Sequence, residues 1–136
     1  MIVLDSSFLV AYHNTRDVHH RAAAGAMKRL VAGEWGRVVL LEYVFVEVAT
    51  VLLARRGLDT ASTVTRALLA SREVDFLPCS DIFLETLETF VRQAGNALSF
   101  TDAAIVTVAR KEPETRVATF DRDLVHVDGV SAVPAP

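Results

Sequence analysis

Asp5, Glu47, Asp102 and Asp121 are the residues of this 136-residue chain whose types and settings point to chemistry. Asp5 follows the short apolar run Ile2-Val3-Leu4, and Asp121 follows Val117-Ala118-Thr119-Phe120. Glu47 lies inside a segment, Tyr43 to Arg56, that is apolar on nearly every face. Its helical neighbours three and four positions away are Tyr43, Val44, Thr50 and Val51, so no Lys or Arg of the same helix can pair with it. Asp102 heads Ala103 to Ala109, again almost wholly apolar. An ionised carboxylate in such surroundings needs a cation or hydrogen-bond donors. Carboxylates gathered together resist ionising unless a cation neutralises them. Hard oxygen ligands select Mg²⁺ or Mn²⁺, which keep waters and bind phosphate oxygens. The chemistry implied is metal-assisted hydrolysis of a phosphodiester.

Each acid also has a plainer explanation. Glu47 could pair with a distant Arg, and Glu42, at the start of the same helix, is an alternative functional acid that would equally suit the helix dipole. Ser99 to Asp102 has the spacing of a capping box. Asp5 could cap a helix running through Phe8, Leu9 and Ala11, and Asp121 could be a turn aspartate. The weight rests on the set, since independent accidents do not readily place four acids after buried strands and inside apolar helices. Other chemistries are weaker. His13, His19, His20 and His126 lack the H-E-x-x-H spacing, there is no G-x-S-x-G or Gly-rich phosphate loop, and Cys79 carries no mark of a nucleophile. An aspartyl phosphotransferase using Asp5 is disfavoured by Ser7, where such enzymes commonly repeat the aspartate.

The elements that must position these acids read as short buried strands alternating with helices. Ile2-Val3-Leu4, Arg37 to Leu40, Val74 to Leu77 and Val117 to Thr119 are the strands, with Val130 to Val133 a short fifth. Helices are expected over Asp17 to Ala32 with Asp17 as N-cap, Tyr43 to Arg56 closed by Gly57, Thr60 to Ala70, Ser80 or Asp81 to Gly95, and Ser99 to Lys111. The pattern predicts one domain over residues 1–136, an α/β sandwich around a mainly parallel sheet, with sites at the carboxyl ends of strands. The helix before Gly95 carries Phe83, Leu84, Leu87, Phe90 and Val91 on one stripe, which is core or interface. The Tyr43 to Arg56 helix should be buried all round.

Composition narrows the class. About half the chain is hydrophobic and 23% charged, which excludes disorder. A single cysteine, Cys79, leaves no disulfide framework within the chain and no thiolate metal site, which favours the cytoplasm. No apolar run approaches the ~20 residues of a membrane span, and the N-terminus lacks a basic leader. The net charge of −3 argues against general electrostatic binding of nucleic acid, unless bound cations neutralise the acids. The basic clusters Arg16/Arg21, Lys28-Arg29, Arg55-Arg56 and Arg110-Lys111 read first as solvated helix ends.

The segments Ile2-Val3-Leu4-Asp5-Ser6-Ser7, Tyr43-Val44-Phe45-Val46-Glu47-Val48-Ala49-Thr50, Leu98-Ser99-Phe100-Thr101-Asp102-Ala103-Ala104 and Ala118-Thr119-Phe120-Asp121-Arg122-Asp123-Leu124, in that order, resemble the PIN-domain ribonucleases and within them the VapC-type toxins. The resemblance implies a PIN-like three-layer α/β/α sandwich and carries acidic, Mg²⁺- or Mn²⁺-binding roles onto Asp5, Glu47, Asp102 and Asp121, with Asp123 the alternative fourth acid. Ser6 and Thr101 match positions that assist the site. It further implies RNA cleavage, a homodimer and a cognate antitoxin. A housekeeping RNA-processing nuclease and a catalytically idle RNA- or protein-binding module are the alternatives.

Overall fold

A computed structural model describes residues 1–135. Strands β1 (Ile2–Leu4), β2 (Val38–Leu41), β3 (Val74–Leu77), β4 (Arg116–Ala118) and β5 (Ser131–Val133) form one sheet in the order β3-β2-β1-β4-β5, every pair parallel. All of β1 and β2 is buried, as their unbroken apolar runs require when both faces of a sheet are covered. The covering helices are α1 (Ser6–His13), α2 (His20–Val31), α3 (Glu42–Arg56), α4 (Leu58–Ala70), α5 (Phe83–Val91), α6 (Phe100–Ala109) and the short α7 (Arg122–Val125).

The chain steps outward from β1 through β2 to β3, then returns across β1 to β4 and β5. Right-handed crossovers therefore lay α1 to α4 on one face and α5 with α6 on the other. Packing agrees: α1 meets α2 and α3, α3 meets α4, and α5 and α6 pack together with α6 against β1 and β4. The succession reverses between β1 and β4, so a crevice opens there at the carboxyl ends of the strands. The Asp5 N–H donates to the Ala118 carbonyl at 3.0 Å, tying the two strand ends at that crevice.

Several sequence expectations need correction. Helix α3 is not buried all round: Val44, Val48 and Leu52 are buried, but Val46 is 57% and Leu53 51% exposed. It packs on α1 and α4 and turns its remaining side outward. The α5 stripe is not core either, since Phe83, Leu84, Leu87, Phe90 and Val91 are all exposed. The buried side chains there are Thr86, with Cys79 and Ile82 of a preceding 3₁₀ turn at Cys79–Ile82. Helix α2 starts at His20 rather than Asp17, because the Asp17 carboxylate accepts the His19 N–H at 2.8 Å and holds a turn before the helix. Helix α5 stops at Val91 and α6 at Ala109, both short of their expected ends. Strand β4 ends at Ala118, one residue before Thr119. Helix α7 escaped notice because four residues carry no periodicity. Among the described residues no helix is long and apolar enough to cross a membrane.

Candidate active site

Asp5 is the first residue after β1 and the N-cap of α1, so the plain reading of it holds. It is also 3% exposed, a severe setting for a carboxylate. Its Oδ2 accepts the Ser7 hydroxyl at 2.5 Å and the Thr119 hydroxyl at 2.8 Å. The polarity of both bonds is determined. An ionised carboxylate only accepts, so both hydroxyls donate to Asp5, while their oxygens accept the Phe120 N–H (at Ser7 Oγ) and the Asp121 N–H (at Thr119 Oγ1), each at 2.9 Å. Burial pushes the Asp5 carboxyl above the usual carboxylate range, the Ser7 and Thr119 bonds oppose that, and repulsion from Asp121 adds to it.

Asp121 caps α7 and accepts the Asp123 N–H at 2.8 Å through Oδ1. Asp123 itself is exposed. Glu47 projects from α3, half-buried, with Oε2 accepting the Ser6 hydroxyl at 2.8 Å. Burial raises its proton affinity, as do Asp5 and Asp102, while the Ser6 and Thr101 hydroxyls favour its charged form. Asp102 completes a capping box: it accepts the Ser99 N–H at 2.9 Å and donates its own N–H to Ser99 Oγ at 3.1 Å. Burial still pushes its carboxyl up, and Asp121 and Asp5 push further, against the Ser99 contacts. The cap and the cavity use of this residue coexist, because the cap occupies one oxygen only.

Asp5, Glu47, Asp102 and Asp121 all line one open cavity of about 470 Å³, together with Ser6, Ser7, Thr50 and Ser99; Asp123 does not. Among the described residues none of the four acids is in a salt bridge, so the distant Arg that might have explained Glu47 is not there. Glu42 is engaged elsewhere, accepting the Cys79 N–H at 2.9 Å and tying α3 to the turn after β3.

A family model for the PIN domain matches residues 2–130. The chain belongs to the PIN domain family. A solved structure similar to this PIN domain is Mycobacterium tuberculosis VapC20, described as a Sarcin-Ricin loop cleaving toxin. It is 30% identical, with a TM-score of 0.79 over 92% of this chain and 93% of that one. No curated protein sequence matches.

The donor set of this PIN domain suits a hard divalent cation: oxygen only, among the described residues unpaired with any base, and with Asp5, Glu47 and Asp102 held above the normal carboxylate range by burial first and by repulsion from other acids second. Among the described residues no three of these groups yet converge as ligands of one ion. Unneutralised carboxylates repel, and several of their oxygens are turned to hydroxyls and backbone N–H groups. Sequence reasoning overlooked Ser7 and Thr119 as parts of the site. The signal was present: Ser7 two residues after Asp5 and Thr119 two before Asp121 are polar residues flanking buried strand ends.

Proposed function

We propose that this PIN domain is a divalent-metal-dependent ribonuclease of the VapC type, the toxin of a toxin–antitoxin pair, acting through Asp5, Glu47, Asp102 and Asp121. The observation that carries the site assignment is the convergence of four acids without a basic partner on one cavity at the β1/β4 crevice. Asp5, Glu47, Asp102 and Asp121 would hold Mg²⁺ or Mn²⁺, which supplies charge neutralisation at the phosphate and acidifies a water. Ser7 and Thr119 present Asp5 as an acceptor with Oδ2 committed to them. Ser6 steadies Glu47, and Thr101 favours its charged form. Because burial and repulsion favour the protonated acids, metal entry must displace protons, and cleavage should rise with pH through the raised carboxylate range.

A cytoplasmic setting, an antitoxin that blocks the cavity, and a homodimer belong to the same reading. The α5 stripe of Phe83, Leu84, Leu87, Phe90 and Val91 is the exposed apolar surface a second copy would cover. Purified protein should cut single-stranded RNA with Mg²⁺ or Mn²⁺ and fall silent with chelator. Growth arrest on expression, relieved by Asp5→Asn, separates a toxin from a housekeeping nuclease. RNA left intact by active-site-replete protein at saturating Mn²⁺ would sink the proposal in favour of an idle binding module.

A further inference from the structure

The residue between Thr119 and Asp121 opens a second part of the site. Phe120 stacks with Phe8, with ring centroids 6.2 Å apart at 21°, and with His19, at 4.4 Å and 7°. Phe8 is fully buried and His19 is exposed, so Phe120 links a core ring to a surface ring. This link cannot drift relative to the acids. The Phe120 N–H is held by Ser7 Oγ, and the next N–H, of Asp121, by Thr119 Oγ1.

The His19 end is held as firmly. Its N–H donates to Asp17 Oδ1 at 2.8 Å, the Asp17 N–H to the Asn14 carbonyl at 2.9 Å, and the Arg16 N–H to Asn14 Oδ1 at 3.2 Å. One face of the imidazole is spent on Phe120. Among the described residues no hydrogen bond uses either of its ring nitrogens. Arg16, Arg21 and Arg122 stand within three residues of His19 or Phe120, all exposed and, among the described residues, in no ion pair.

We infer that His19, backed by Phe120, is a stacking platform for an unpaired nucleobase of the RNA, next to the phosphodiester that the acids address. Single-stranded RNA is recognised by bases splayed onto aromatic faces and backbone phosphates held by cations, and this corner offers an exposed flat ring with arginines close to it in sequence. A ring that served only to shield Phe120 would not need its loop held by hydrogen bonds at Asn14 and Asp17. The inference rests on the ribonuclease reading for its substrate, but it assigns a subsite that the acids do not touch.

The test uses the full chain and a short single-stranded RNA bearing 2-aminopurine, whose fluorescence is quenched on stacking. The unaltered protein should quench it, and His19→Ala should weaken binding about tenfold, the size of one lost base stack. In cleavage assays the loss should fall on KM, and the Mn²⁺-induced rise in melting temperature should match that of the unaltered protein. His19→Trp should restore or tighten binding, which a merely structural imidazole would not do. Quenching and KM indifferent to residue 19, or a Trp variant as weak as Ala, would overturn the platform. Quenching that depends on His19 in a protein that cleaves nothing would instead leave the platform standing and remove the ribonuclease reading.

Discussion

Asp5 and Asp121 leave the ends of adjacent parallel strands, whereas Glu47 and Asp102 ride on helices α3 and α6 from opposite faces of the sheet. The first pair is joined by a chain of buried groups: the Asp121 N–H to Thr119, and Thr119 to Asp5. The second pair is half-buried, and Glu47 is held from outside its helix by the Ser6 hydroxyl. Strand ends in a fully covered sheet deliver a carboxylate in a set orientation, because every backbone group around it is already bonded. Helix-borne carboxylates have room to close on an ion as it neutralises their repulsion.

The largest test of that division is Asp5→Asn, which removes the charge at the rigid end. Cleavage should fall by more than about 100-fold and the Mn²⁺-induced rise in melting temperature should vanish, with far-UV circular dichroism unchanged. Retained metal-dependent activity would break the comparison at its base. Next, Thr119→Val keeps the shape but strips one donor from Asp5 and the acceptor from the Asp121 N–H. Leaving these buried groups unpaired should cost about 1–3 kcal/mol in denaturant titrations. Metal affinity or turnover should fall about 10–100-fold, and Thr119→Ser should recover most of both.

The pH dependence of metal binding comes after these. Asp5, Glu47 and Asp102 are raised in the folded state, so the folded protein holds protons that the unfolded chain has released. Their contribution to metal-free stability is therefore present below the ordinary carboxylate range and is lost as pH rises through the raised values. Mn²⁺ removes that penalty, so melts with and without Mn²⁺ should diverge as pH rises and converge as it falls. A shift independent of pH would show that the acids are not the ligands. Smallest is Ser6→Ala, which frees Glu47 on the adjustable side and should cost roughly 2–10-fold in turnover. Equal losses from Ser6→Ala and Thr119→Val would erase the distinction between the two sides.

Much of this was legible in the sequence because it depends on local pattern. Short apolar runs such as Ile2-Val3-Leu4 and Val38-Val39-Leu40, rich in β-branched residues, read as strands covered on both faces, and an Asp directly after one falls at the sheet's carboxyl edge. Glu47 stood out through the absence of any helical neighbour that could pair with it, although the all-round burial invoked for it was wrong: which sides of α3 are covered depends on where α1 and α4 pack. The α5 stripe shows the same limit, since periodicity identifies an apolar face but not what covers it.

Tertiary structure alone decided which acids line the cavity. Asp121 rather than Asp123 lines the cavity, two residues apart on one turn, because the Thr119 hydroxyl fixes the backbone of one and the other faces solvent. Ser7 and Thr119 acquire their place across 112 residues of sequence, through the parallel pairing of β1 with β4. His19 and Phe120 likewise meet only because α2 returns beside that strand end. Local pattern determines element type and which residues need a partner; only packing brings the partner within hydrogen-bond reach.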